Sequence, residues 1–253
     1  MAEDMTIESY LAQGGVLSNP ENVPPRYRAE LMKLMTTFVD SELAGSAGFA
    51  DIINEAPGIK ERIAACRIVM EKTDHAERVM KVMADFGADI EKYATHQPWT
   101  ARLDRDAVLG PTRTGGDMRL SVFHYPLAGW TDAVVMNVLM GRAVRIQLDE
   151  FARVSYQPLA EAFRAILPVE TRHAELGEEG LRKLIADPAA RDAAAASVAY
   201  WWPRVAESFG AAESARFEQQ KGYGLRHRSN ADLLASWEKD AGALLSELGL
   251  KAG

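Results

Sequence analysis

Ionisable residues interrupt the apolar helical stripes of this chain at intervals that repeat, and few folds tolerate such an arrangement. Apolar and small residues recur in steps of three and four at Leu31, Met35, Phe38, Gly45, Phe49 and Ile52. Further stripes carry Ile68, Val79, Val82 and Phe86, and then Phe163, Ile166 and Gly177. This is the spacing of one helix face. The same steps land on Glu42 in the first stripe, Lys72 and His75 in the second, and Glu170 and His173 in the third. A buried ionisable group is costly unless it is paired or coordinated, so the coincidence needs a cause. The intervals match as well: 42 to 72 is 30 residues and 72 to 75 is three, while 141 to 170 is 29 and 170 to 173 is three. Two copies of one pattern, offset by 98 or 99 residues, therefore run through the chain.

The periodicity predicts helices over 25–54, 59–93, 126–154 and 158–185, with "EAPG" (55–58) ending the first and seeding the second. Residues 96–125 hold Gly, Pro and aromatic punctuation and form a long crossover, with "MRLSVF" as a brief extended piece. Pro168 falls inside the fourth helix and predicts a kink or π-type irregularity just before Glu170. Further helices follow at about 188–209, 213–221 and 230–248. Two long helical hairpins joined by a crossover describe an all-α, ferritin-like four-helix bundle, with additional flanking C-terminal helices. We expect a single domain over 25–253 and an irregular arm over 1–24, which packs on the body or reaches a neighbouring subunit.

Composition narrows the partners. The net charge of −7 comes without a basic block, which argues against nucleic acid and anionic membrane. No segment approaches ~20 consecutive apolar residues, and residues 1–24 lack a signal-peptide pattern. One cysteine, Cys66, precludes an internal disulfide and suits the cytoplasm; a small buried hydrophobe on a helix is its expected role. No organic cofactor is evident.

A di-iron bundle carries a carboxylate and then Glu-x-x-His in each of two copies. Here Glu42, His75, Glu170 and His173 fit, whereas Lys72 stands where a bridging carboxylate belongs and Gly141 where a terminal one belongs. Glu71 and Asp74 are close enough along the second helix to shift in. On the third helix Asp149 and Glu150 lie at least eight residues from position 141, about 12 Å along the axis. Asn137 is the nearby polar residue there, and it is neutral. A protonated Lys72 adds positive charge where metals belong and cannot ligate. Three arrangements stay open: two metals, one metal held by Glu42, His75 and Glu170 with His173 beside it, or an ion-pair network centred on Lys72 with no metal.

The stretches "SELAGSAGFADIINEAPGIKERI", "EKTDHAERV", "SYQPLAEAFRAILPVETRH", "YWWPRVAESFG" and "LRHRSNADLLASWEKDAGALLSELGL" resemble the phenylacetic acid catabolic protein family. These are the ferritin-like subunits of the multicomponent phenylacetyl-CoA epoxidase. The last two stretches look more like its catalytic than its non-catalytic subunit. The resemblance implies iron- and oxygen-dependent epoxidation or hydroxylation of an acyl-CoA, electrons from a separate reductase, and a homodimer or a heterodimer with a related subunit. It also implies that Glu42, His75, Glu170 and His173 are metal ligands, with Lys72 lining their site. A non-catalytic structural or regulatory subunit is the alternative, and a metal-free binder of a hydrophobic acid or thioester is a third. His96, His124 and His227 lack a helical partner of ligand type and are expected in loops or at the surface. "YWWP" (200–203) reads as core packing before an aromatic ligand wall. "LRHRS" (225–229) offers cations to a coenzyme A phosphate, an acidic partner or solvent. Gly45, Gly141 and Gly177, at one depth, permit either close helix packing or a cavity for an aromatic acyl group.

Overall fold

The computed structural model describes residues 5–96, 98–109 and 116–251, apart from the side chain of residue 96. After a short α1 (Ile7–Ala12), the chain forms α2 (Pro25–Ile52), α3 (Ile59–Asp85) and α4 (Ile90–His96). Beyond the crossover come α5 (Trp130–Phe151), α6 (Gln157–Leu184), α7 (Pro188–Glu207), α8 (Phe217–Gly222) and α9 (Asn230–Glu247). There is no β-strand among the described residues, which leaves an all-α fold. Helix α2 lies along α3 and α5 along α6; α3 meets α6, and α7 and α9 pack on α5. This is the bundle with flanking C-terminal helices that the stripes predict.

Local chemistry sets the helix ends. Pro25 opens α2 at its first position, where a missing N–H is harmless. The Asp187 carboxylate accepts from Ala189 N to start α7, and Ser229 and Asp232 cap α9 reciprocally. Two boundaries differ from the expected ones. The 59–93 helix breaks after Asp85 because Gly87 adopts φ +84°, a left-handed conformation that suits glycine and ends helices. Gly129, at φ +101°, delays the start of α5 from 126 to Trp130.

Three further expectations are corrected. The segment "MRLSVF" is not extended: Leu120 N donates to Ser41 Oγ at 3.0 Å, and Ser121–His124 close into a 3₁₀ turn. Of the kink or π-type irregularity expected at Pro168, the π turn is absent, and α6 runs as continuous α-helix through it. Cys66 is exposed rather than buried. In the N-terminal segment, Leu17 is buried and forms an isolated β-bridge with Tyr156.

Buried polar groups tie the described parts of the crossover to the bundle. Asp40 on α2 accepts hydrogen bonds from Tyr93 Oη (2.6 Å), Trp99 Nε1 (3.1 Å) and Met118 N (2.7 Å). The buried Arg119 guanidinium donates to the carbonyls of Pro98, Trp99 and Ala101. The aromatic run at 200–203 packs the core: Trp201 is fully buried, and Trp202 stacks on Trp237 with ring centroids 4.4 Å apart.

Apolar layers frame the centre of the bundle. Phe38, Val79 and Ile166 belong to one cluster, and Phe49 and Ile68 to another. Between them, at the depth marked in each stripe, lie the charged residues.

Candidate functional site

Residues three apart on a helix differ by about 300° and so project from one face. Helix α3 therefore points Lys72 and His75 inward together, and α6 does the same with Glu170 and His173; α2 adds Glu42. All five side chains are buried. Lys72 Nζ donates to Glu42 Oε1 at 3.1 Å and to Glu170 Oε1 at 2.9 Å. His75 Nδ1 lies 3.2 Å from Glu42 Oε2 and 3.1 Å from Glu170 Oε1. The lysine and one histidine thus bridge the same two carboxylates.

The protonation states follow from this geometry. Burial alone would lower the His75 pKa, but hydrogen bonds to Glu170 and Glu42 and their charges outweigh it and push it up to about 9. Burial likewise disfavours charge on Lys72, and Glu170 and Glu42 overcome it, raising its pKa. Burial would raise the Glu170 pKa, yet Lys72, His173 and His75 hold it well below the usual carboxylate range. The shifts favour the charged forms of Lys72, His75 and Glu170, so the two cations are set against the carboxylates they bridge.

His173 sits at its edge. The two imidazole centroids are 6.0 Å apart, and His173 Nδ1 is 3.3 Å from Glu170 Oε1 without forming a hydrogen bond. Its Nε2 is 2.6 Å from Glu71 Oε2. Glu71, the residue spaced to compensate for Lys72, therefore reaches the second histidine and is partly open to solvent. Asp74 turns outward and pairs with Arg78 at 2.8 Å.

Position 141 is crowded. A Cβ there would lie 3.1 Å from Ala174 Cβ and 3.2 Å from Ala174 Cα. Helices α5 and α6 have approached so closely that any side chain at 141 would require Ala174 on α6 to give by a few tenths of an ångström. Asn137, one turn earlier, donates to the His173 carbonyl at 3.0 Å instead of reaching the cluster. The space beside Gly45, Gly141, Lys72 and Glu170 amounts to about 30 Å³. That admits about one water and no aromatic ring. Of the two roles open to these glycines, close packing is the one that Gly45 and Gly141 fill, whereas Gly177 borders a separate pocket of about 210 Å³.

The donor set does not fit a pair of irons. An ammonium occupies the bridging position, and the terminal position on α5 is a glycine crowded by Ala174. Glu42, His75 and Glu170 do offer ligand atoms all within 4.8 Å of one another. Lys72 Nζ already holds Glu42 Oε1 and Glu170 Oε1, so one cation placed there would compete with it for the carboxylates. Of the other histidines, His124 falls in the crossover turn and His227 is exposed with Nε2 3.1 Å from the Arg153 carbonyl, while the side chain of His96 lies outside the described residues. Sequence reasoning did not find Asp40, whose position off the Glu42 face carried no ligand-like spacing.

The family model described as "Phenylacetic acid catabolic protein" matches residues 5–252. The chain is also similar to one of the subunits of 1,2-phenylacetyl-CoA epoxidase from Escherichia coli (strain K12), at 23% identity over 205 residues. That stretch covers 80% of this chain and 62% of the relative's length. No helix among the described residues is long and apolar enough to cross a membrane. With a family match over nearly its whole length, the chain belongs to the phenylacetic acid catabolic protein family.

Proposed function

We propose that this chain is a non-catalytic subunit of an assembly related to phenylacetyl-CoA epoxidase. In this reading a Lys72–carboxylate network replaces the metal centre. It gives the bundle a fixed interior while a related, metal-bearing subunit carries out iron- and oxygen-dependent epoxidation of an acyl-CoA. The chain would work in the cytoplasm, as a heterodimer with that subunit or as a homodimer, and a separate reductase would serve the partner.

The observation that carries the reading is Lys72 Nζ held between Glu42 and Glu170 at 3.1 and 2.9 Å. A buried ammonium with two carboxylates supplies the positive charge that a metal otherwise would. The crowded position 141 points the same way, because restoring the ligand set would require Ala174 on α6 to give.

A second reading keeps one metal and a vestigial oxygenase activity in this chain. The tight grouping of Glu42, His75 and Glu170 favours it. Reconstitution with a related metal-bearing subunit distinguishes the two. Acyl-CoA turnover by the assembly should survive Glu170→Gln in this chain, with folding checked by circular dichroism and assembly by gel filtration. Loss of turnover from an intact, folded assembly would overturn the non-catalytic reading.

A further inference from the structure

A second polar feature, centred on Arg226, borders the Lys72 cluster at Glu42. A pocket of about 280 Å³ opens between α2, α5, the crossover and the chain after α7. Its walls are apolar, with Leu34, Phe38, Leu120, Val144, Leu148 and Phe151 among them. Its charged lining residues are mostly matched. Glu30 pairs with Lys33 at 3.0 Å and meets Arg216 at 4.0 Å. Glu42 is neutralised by Lys72.

Arg226 is the exception. Its Nη1 donates to Gln147 Oε1 at 2.7 Å and its guanidinium lies 5.0 Å over the Phe151 ring, all three residues lining the pocket. It forms no ion pair with a carboxylate among the described residues. Glu150 is the nearby anion, but its oxygens already accept from Arg153 Nη2 (2.6 Å), His227 N (2.8 Å) and Arg228 N (3.0 Å). Burial lowers the Arg226 pKa, yet a guanidinium keeps its proton in proteins, so the charge persists. Glu150 acts on Arg226 only through space, so an arginine beside an apolar cavity, with no carboxylate in direct contact, is a receptor for an anion that brings an apolar tail.

We propose that this pocket binds a compact hydrophobic carboxylate, its head paired with Arg226 and its tail lying against α2 and α5. The volume is just under the range typical of small-molecule sites, which suits a free acid and is too small for an entire coenzyme A thioester. The pocket shares Glu42 with the Lys72 cluster, but the head group is assigned to Arg226, so the binding measurement reads separately from the proposed subunit role.

Calorimetry on the full chain with octanoate, octanamide and coenzyme A tests the assignment. Octanoate should bind one to a chain, and octanamide should bind at least about tenfold more weakly, because a charged hydrogen-bonded pair is lost. Arg226→Gln should weaken octanoate to a similar degree, while Arg226→Lys should retain part of the affinity. Val144→Phe, which fills the tail space and leaves the charge, should abolish binding with an unchanged circular dichroism spectrum. Equal binding of octanoate and octanamide would overturn the proposal, as would octanoate affinity indifferent to Arg226→Gln. Displacement of octanoate by coenzyme A would assign Arg226 to a phosphate instead, and no binding at millimolar octanoate would remove the site altogether.

Discussion

Lys72 Nζ stands 2.9 Å from Glu170 Oε1, a contact spanning two helices and 98 positions of sequence, and the same nitrogen also reaches Glu42. Neither carboxylate is solvated. Lys72→Met should therefore leave two buried anions with only His75 between them, destabilising the fold by about 3–5 kcal/mol. Adding Glu170→Gln should restore part of that loss, since the residues act as a unit. Urea denaturation of Lys72→Met, Glu170→Gln and the double variant measures both effects; additive losses would mean that the contact is energetically idle.

Stability should also fall on the alkaline side, and His75 sets the limb. Its folded pKa is raised from 6.5 to about 9. Its contribution is complete below 6.5 and disappears as pH rises through about 9. The loss amounts to at most about 3 kcal/mol. Glu170 acts in the opposite sense: its depressed pKa gives stability above 4.5 that is lost as pH falls through the folded value. Denaturation midpoints should peak between roughly 4.5 and 6.5 if these two groups dominate. His75→Gln should flatten the alkaline limb, and an unchanged limb would remove His75 from the account.

Replacing the ammonium with an anion should reopen metal chemistry in part. Lys72→Glu places a third carboxylate beside Glu42, Glu170 and His75. We expect it to bind one Co(II) or Mn(II), detected by visible absorption or electron paramagnetic resonance, where the parent binds none. It should not bind two, because position 141 still supplies no ligand. No gain at all would show that the surroundings have lost metal competence along with the ligands.

Gly141 tests the closure directly. Gly141→Ala presses a methyl against Ala174, whose Cα cannot yield without moving α6. The expected destabilisation is about 1–3 kcal/mol, typical of overpacking. A neutral or stabilising result would mean that the helices separate easily and that a carboxylate there is sterically allowed.

The long helices and their buried polar layer were legible because period and spacing are local properties of sequence. Glu42, Lys72, His75, Glu170 and His173 could be picked out by asking what interrupts each stripe. Partner choice was not legible in the same way. Glu71 lies on the rim of the α3 face, and only the packing of α3 on α6 decides that it joins His173 and does not take the place of a bridging carboxylate. The break at Gly87 was hidden because Phe86 continues the stripe and stays buried after the helix has ended. Cys66 misled for the opposite reason: its residue type favours burial, but its place on α3 faces away from the bundle. The unmatched charge of Arg226 arises from tertiary contacts with Gln147 and Phe151, which no spacing within "LRHRS" reveals.

The most direct measurement is elemental analysis of this chain purified without chelators from iron-supplemented cells. A lysine that replaces the metal predicts transition-metal content far below one ion per chain, unchanged by dialysis against chelator. One or two tightly held irons per chain would contradict it and return the Glu42–His75–Glu170 cluster to oxygen chemistry.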